Sequence, residues 1–308
     1  MTNLNTESAT WMRSIRRPSI IEGVRELLNR TFVEPSKPPK KRRDLFEDLR
    51  NTCLNDYYID NYPSAEAGLA LFSNTWSSHI PVEGKVTGNL PLFADARLSW
   101  LFDQIGGIEG WNVLELGPLE AAHTSMLHAK GAASITAIEA NAICYLKCLV
   151  IKEIFRLERA HFTLGNFERF LSDTQERFDL IVASGVLYHL MDPLLALLDL
   201  MRLTDRIFVW SHFFDDAAMP ITDMRRSHFT RETIEREYKG AHLTYHVRSY
   251  GSMSHSGTFC GGIHGNSVWL ELPQVSALLE QNGYHLTLGF EQPDHANGPA
   301  ACFVAVRV

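Results

Sequence analysis

Hydrophobic and polar positions along the 308-residue chain fall into two regimes, helical at the start and alternating between strand and helix from about residue 92. Residues 11–32 interleave arginines with Ile20, Ile21, Val24, Leu27 and Leu28, a spacing that predicts one amphipathic helix. Residues 34–43 cannot continue it. Pro35, Pro38 and Pro39 forbid a helix and the run from Lys40 to Arg43 favours solvent, so a basic, proline-rich loop or linker is expected, with a docking site as the alternative. From Leu45 to about Pro91 the apolar spacing is helical again, with Tyr57, Tyr58, Tyr62, Phe72 and Trp76 set into it. It predicts a helical cap packed on the main fold.

The next region alternates. Leu98–Ile108 predicts a helix, and Asn112–Leu116, Ser134–Ile138, Phe178–Ala183 and Arg206–Trp210 read as short buried strands. A crossover helix fits between the first two strands, and Ile143, Leu146, Val150, Ile154 and Leu157 recur at helical spacing after the second. Tyr284–Phe290 and Ala301–Val308 predict a closing antiparallel pair, split by the loop Asp294–Pro299. Such alternation gives an α/β fold with a mostly parallel sheet. Residues 1–91 are then an amino-terminal extension and cap, and 92–308 a catalytic body with a substrate-pocket insertion at about 213–267.

Composition narrows the partners. The net charge is −7, yet residues 1–50 hold 11 Lys/Arg against 7 Asp/Glu, so the acidity lies in the body. An acidic surface repels phosphates and makes nucleic acid a poor partner. Five scattered cysteines with no CxxC pair suggest neither disulfides nor a zinc ribbon, and the amino terminus lacks a signal-peptide core. We expect a soluble cytoplasmic protein with no membrane partner, and a homo-oligomer is compatible with the sequence. The 13 histidines include no HxH or HExxH, so no metal is expected; His242 and His246, four apart, read as a surface pair on a helix.

Chemistry concentrates after the first strand. The turn Glu115-Leu-Gly117-Pro118-Leu119-Glu120-Ala121 leads into a helix opening near His123, Thr124 and Ser125. A glycine there lets backbone approach a ligand, and the helix amino end offers unpaired N–H groups. Glu139 ends the second strand, 22 residues beyond Gly117, where a carboxylate can accept both ribose hydroxyls of a nucleoside. Gly165-Asn166-Phe167 and Ser184-Gly185-Val-Leu-Tyr188-His189 follow at the ends of later elements.

These elements, in this order, resemble class I S-adenosylmethionine-dependent methyltransferases. The resemblance implies a Rossmann-like seven-stranded sheet, mostly parallel with an antiparallel last strand. It implies S-adenosylmethionine as cofactor, held by Glu115, Gly117, Pro118, Thr124, Glu139 and Ala140, by Asn166 and Phe167 at the adenine, and by Ser184 and Gly185 at the methionine moiety. Leu119 and Ala121 depart from it, standing where the family's fuller pattern has glycines. That predicts a bulkier loop and argues against a dinucleotide, whose pyrophosphate needs those glycines.

Segments around Trp76, Phe93–Arg97 and Gly185–His189 resemble the branch that includes the tRNA wobble-uridine carboxymethyltransferases, where a tryptophan-containing segment helps cover the cofactor. Trp76 is the matching residue, with a plain packing role as its alternative. The corresponding late stretch Gly261–Trp269 lacks the branch's arginine.

His189 and His212 follow strand ends, where ligands bind in open α/β sheets, and are candidate general bases because imidazole titrates near neutrality; structural hydrogen bonding is the other reading. Tyr188, Phe213, Tyr250, His255, His264 and Trp269 are candidate acceptor contacts, the glycine-rich stretch 251–265 being able to fold over a ligand. The expected activity is methyl transfer to a small molecule. An RNA-modifying transferase and a non-catalytic S-adenosylmethionine-binding protein are the alternatives.

Overall fold

A computed structural model describes residues 58–60, 62–83, 87–251 and 261–308. The expected helix at 11–32, the basic loop at 34–43 and His255 lie outside the described residues. One sheet is built from β1 (Asn112–Leu116), β2 (Ser134–Glu139), β3 (Ala160–Leu164), β4 (Leu180–Ser184), β5 (Arg206–His212), β9 (Tyr284–Gln292) and β10 (Ala300–Arg307). These seven strands lie in the order β3-β2-β1-β4-β5-β10-β9. Only β10 runs opposite to the other six strands, antiparallel to both β5 and β9. β1 lies between β2 and β4, both parallel to it, so the strand order reverses there and opens a crevice at the strands' carboxyl ends.

The strands form where apolar runs must be covered on both faces. Val113, Leu114 and Leu116 of β1 and Leu180–Ala183 of β4 are almost wholly buried, as a parallel sheet under two helical layers requires. The expected strand at 178–183 begins two residues later, Phe178 making an isolated bridge to Thr204. β3 escapes a hydrophobic reading because it is an edge strand, with His161, Thr163 and Leu164 not buried.

Among the described residues the α-helices are α1 (Ala65–Ala70), α2 (Ala96–Ile105), α3 (Ala122–Ala129), α4 (Ala142–Phe155), α5 (Phe167–Asp173), α6 (Pro193–Leu203) and α7 (Leu272–Gln281). Their starts are chemically marked. Asp95, Asn141, Asn166 and Asp192 each accept a backbone N–H of the first turn, caps worth about 1 kcal/mol apiece. Among the described residues no helix is long and apolar enough to cross a membrane.

Two expectations need correction. The 45–91 region, where described, is helical only over Ala65–Ala70; residues 77–83 and 87–90 hold no helix, with Ser78 bridging Leu90. Pro81 and Pro91 break the helical hydrogen bonds, and at Gly88 a Cβ would fall 2.1 Å from the Ser77 carbonyl. His242 and His246 sit not on a helix but on β7 (Ala241–Ser249), where residues four apart share a face. His246 is half-buried, stacked on Phe214 and bonded to Glu271 at 2.8 Å.

β7 belongs to a second, antiparallel sheet with β6 (Phe229–Tyr238) and β8 (Asn266–Trp269), in the order β6-β7-β8. Lys239 and Gly240 close its first hairpin, both with positive φ (49° and 85°), as a two-residue turn demands. The inserted stretch is thus a sheet of its own. Val268 donates its N–H to the Leu190 carbonyl and anchors β8 beside the end of β4.

Candidate functional site

A cavity of about 780 Å³ lies at the carboxyl ends of β1 to β5. A second, of about 750 Å³ between α1 and α4, is mainly apolar and contains none of the candidate residues. The chemistry is therefore in the first.

Its floor begins with the loop after β1. Gly117 (φ 64°) has no room for a side chain, since a Cβ would come 2.8 Å from Val186 Cγ1. Leu119 and Ala121 also take left-handed φ values of 55° and 58°. The loop therefore keeps a glycine-like backbone at residues with side chains, at roughly 1–2 kcal/mol of strain each. Glu120, 1% exposed, holds the loop in place. Its carboxylate accepts the Ser77 and Ser78 N–H groups and pairs with buried Lys147 at 2.8 Å.

Glu115 and Thr124 do not line the cavity. Glu115 is 2% exposed and accepts a hydrogen bond from the Thr124 hydroxyl, joining β1 to α3 beneath the loop. Burial pushes its carboxyl up to about 6.

Glu139 does line the cavity, together with Pro118 and Ala140. Its Oε2 accepts the Leu119 N–H at 3.1 Å and its Oε1 the Asn141 N–H at 2.8 Å, so the backbone fixes the carboxylate's plane. Burial raises its pKa, against these amide bonds. An ionised carboxylate has about four acceptor positions, so capacity remains on both oxygens. Asn166 and Phe167 reach the same cavity at the start of α5, as do Ser184 and Gly185 at the end of β4. Asn166 Oδ1 also caps α5 through the Glu168 N–H.

The far half is built from rings. Tyr188, His189 and His212 line it. His212 is 4% exposed and stacks on Trp269 at 4.9 Å and 6°. Its Nδ1 donates to the Gly298 carbonyl at 2.9 Å, which leaves Nε2 as the ring's acceptor. Gly298, at φ 124°, permits this approach; a Cβ there would meet the Trp269 ring at 2.5 Å. His189 Nδ1 contacts the Tyr250 hydroxyl. Trp269 and Tyr250 support these rings without lining the cavity, Phe213 is buried outside its lining, and His264 lines it from the 261–265 segment. That segment presses against His189, for a Cβ on Gly262 would come 2.3 Å from the His189 carbonyl oxygen.

The histidines do not titrate near neutrality, contrary to expectation. Burial, then neighbouring His212 and Arg248, push His189 down to about 3; burial, then His295, push His212 down to about 4. Both are neutral at pH 7 and weak as bases.

Trp76 is a core residue, edge-on to Phe72 with its Nε1 donating to the Leu69 carbonyl at 3.0 Å, rather than part of the cavity wall. The sequence motifs also missed part of the wall. Arg97, His123, Trp210, Gln292, His295 and Asn297 all line the cavity. Asp95 accepts from Arg97 Nε at 2.9 Å and lies 2.8 Å from His123 Nε2. Burial works to raise the Asp95 pKa, but the bonds to His123 and Arg97 outweigh it and hold the group well below the usual carboxylate range. The Arg97 guanidinium lies 4.4 Å from the centre of the Trp210 ring. Asp95 and Arg97 fall in the Phe93–Arg97 segment, but no periodicity signals that β5 and the β9–β10 turn meet them.

Among solved structures, the N-terminal domain of EvdMO1 with SAH bound is 19% identical, with a TM-score of 0.57 over 79% of this chain and 94% of that one. The same domain in the presence of SAH and D-fucose matches with 18% identity and a TM-score of 0.53 over the same shares. The chain has the Rossmann-like methyltransferase fold. No family model and no curated protein matches the sequence. The fold places ligands at the strand ends, where the motif-bearing residues converge in this chain.

Proposed function

We propose that this protein transfers a methyl group from S-adenosylmethionine to a small-molecule acceptor. The observation that carries the reading is Glu139, a backbone-anchored carboxylate at the tip of β2 with spare acceptor capacity, facing the cavity that Gly117 keeps open to backbone approach. A nucleoside's ribose diol fits that carboxylate, and Asn166 and Phe167 supply a polar edge and an apolar face beside it for a base. The SAH named in the EvdMO1 domain structures supports the same cofactor class.

Bound there, the cofactor supplies an electrophilic methyl on a sulfonium sulfur. The chain's own work is orientation. Glu139 and the 117–121 loop fix the donor, and the ring-lined half holds the acceptor, so that most of the acceleration comes from alignment and exclusion of water. His212 Nε2 and the His189 ring are neutral hydrogen-bond partners for an acceptor hydroxyl or amine. Their lowered basicity suits positioning the nucleophile more than taking its proton outright.

The cavity's size falls within the range of small-ligand sites, roughly 300–1,000 Å³, which favours a metabolite as acceptor. Incubation with methyl-labelled S-adenosylmethionine and a metabolite extract should yield a labelled product by mass spectrometry. Tight cofactor binding with no labelled product from any extract would overturn the transferase reading.

A further inference from the structure

The small sheet β6-β7-β8 has two edges, and they are treated differently. β8 is tied to the body where the Val268 N–H meets the Leu190 carbonyl, whereas β6 has β7 on one side and no strand among the described residues on the other. β6 is long, and residues 230–233, 235 and 237 are exposed.

The hairpin fixes which backbone groups look outward. Tyr238 faces Ala241 across the two-residue turn, which makes a hydrogen-bonded pair, and the pairs alternate from there. Arg236 with Leu243 and Ile234 with Tyr245 are bonded; Glu237 with His242, Glu235 with Thr244 and Thr233 with His246 are not. Thr244 confirms this parity, its N–H turning away from β6 to Gln274 Oε1 at 2.7 Å. Thr233, Glu235 and Glu237 therefore point their N–H and C=O groups off the open edge. On that edge the Glu235 carbonyl accepts Arg236 Nη1 at 3.2 Å, a side-chain contact that a strand N–H can replace.

Such a row is a template for another strand, and charges on an edge ordinarily discourage the pairing. Along β6 they are arranged to do the reverse. Arg231-Glu232 near one end is answered by Arg236-Glu237 near the other, in the same order, so an antiparallel copy brings opposite signs together. We propose that β6 is a self-recognition edge, through which two copies of this chain pair antiparallel about a two-fold axis at Ile234.

That register sets Arg231 against Glu237, Glu232 against Arg236 and Thr233 against Glu235. It also joins outward-facing Thr233 to outward-facing Glu235, as a hydrogen-bonded pair requires. Moving the axis to Glu235 sets that residue against itself, and moving it to Arg236 adds Glu235 against Glu237. The ladder to β7 shifts register between Phe229 and Thr233, so Arg231 and Glu232 contribute chiefly as side-chain pairs flanking the regular stretch. One strand pair buries less than a stable interface needs, so the dimer is weak and sensitive to salt. The inference is independent of the cofactor reading.

Sedimentation velocity on the full chain should show a monomer–dimer equilibrium between about 10 µM and about 1 mM at low salt, weakening as salt rises. Arg231→Glu or Glu237→Arg alone turns both symmetric pairs repulsive and should raise the dimer Kd about 10-fold or more. An equimolar mixture of the two variants should dimerise about as well as wild type, because each then meets opposite charges on the other. The double variant should likewise regain the wild-type Kd to within about threefold. Thr233→Pro removes an outward N–H, leaves the β6–β7 bonds alone and should abolish association. Should a single reversal fold poorly, the double variant and Thr233→Pro still decide. A monomer at every concentration, or single variants that dimerise as well alone as mixed, overturns the proposal.

Discussion

The two halves of the cavity are made of different material. Around β1 to β4 the wall is largely backbone: Gly117, the left-handed Leu119 and Ala121, and the amides that grip Glu139. In the turn after β4, at β5 and at the β9–β10 turn it is side-chain rings, with Tyr188, Trp210, His212 and His295 in edge-to-face contact. The first half places polar groups by turn geometry over a few consecutive residues. The second places them by packing between segments up to about a hundred residues apart. A shape held by backbone suits a donor that never varies, and one held by side chains can be respecified by substitution.

The contrast can be broken most severely at the clamp behind the backbone half. Lys147→Met strands Glu120 as a buried charge and should cost about 3–5 kcal/mol in urea denaturation. A loss below about 1 kcal/mol would mean that the loop needs no clamp.

Next in size, Glu139→Ala should reduce S-adenosylhomocysteine affinity by about 100-fold or more, as the loss of two charge-assisted hydrogen bonds predicts. Unchanged affinity in calorimetry would remove the ribose assignment, and with it the functional distinction between the halves.

Acid sharpens the comparison further, because the halves respond with opposite sign. Unfolded histidine takes up protons near pH 6.5, whereas folded His189 and His212 resist until about 3 and 4. Their contribution is complete above pH 6.5 and lost as pH falls, at about 1.4 kcal/mol per pH unit for each proton bound only by the unfolded chain. Glu115, raised to about 6, adds stability that is full below about pH 4.5 and lost as pH rises through 6. His212→Asn should therefore flatten the fall in stability between pH 6 and 4, while Glu115→Gln should steepen it. Identical slopes in both variants would contradict the assignment.

The smallest effect belongs to Leu119→Gly. Relief of left-handed strain and the added freedom of the unfolded chain oppose each other, and stability should stay within about 1 kcal/mol of wild type. A large loss would show that the Leu119 side chain, not the loop's backbone, shapes this wall.

Most of the backbone half is legible in the sequence, for local reasons. Val113, Leu114 and Leu116 mark a short strand covered on both faces, Glu139 ends the next strand, and Gly117 stands where a chain must turn into a helix. Glu115 shows the limit of that logic. It shares with Glu139 a place near a strand's end, yet its side chain turns under the loop to Thr124 while Glu139 faces the cavity. Which face a carboxylate takes depends on the pleat and on what is packed there, and strand position alone does not carry that information.

The order of hydrophobic runs, the helix caps and the turn residues determined by themselves that this chain folds as a doubly covered, mostly parallel sheet with a ligand crevice at its switch point. They act between near neighbours, so the sequence displays them directly. Only the tertiary structure decided that Arg97, His123, Trp210 and His295 share a wall, that Trp76 and Trp269 stand behind walls rather than in them, and that two histidines lose their basicity. Those outcomes depend on burial and on contacts between distant segments, and burial is a property that no residue carries alone.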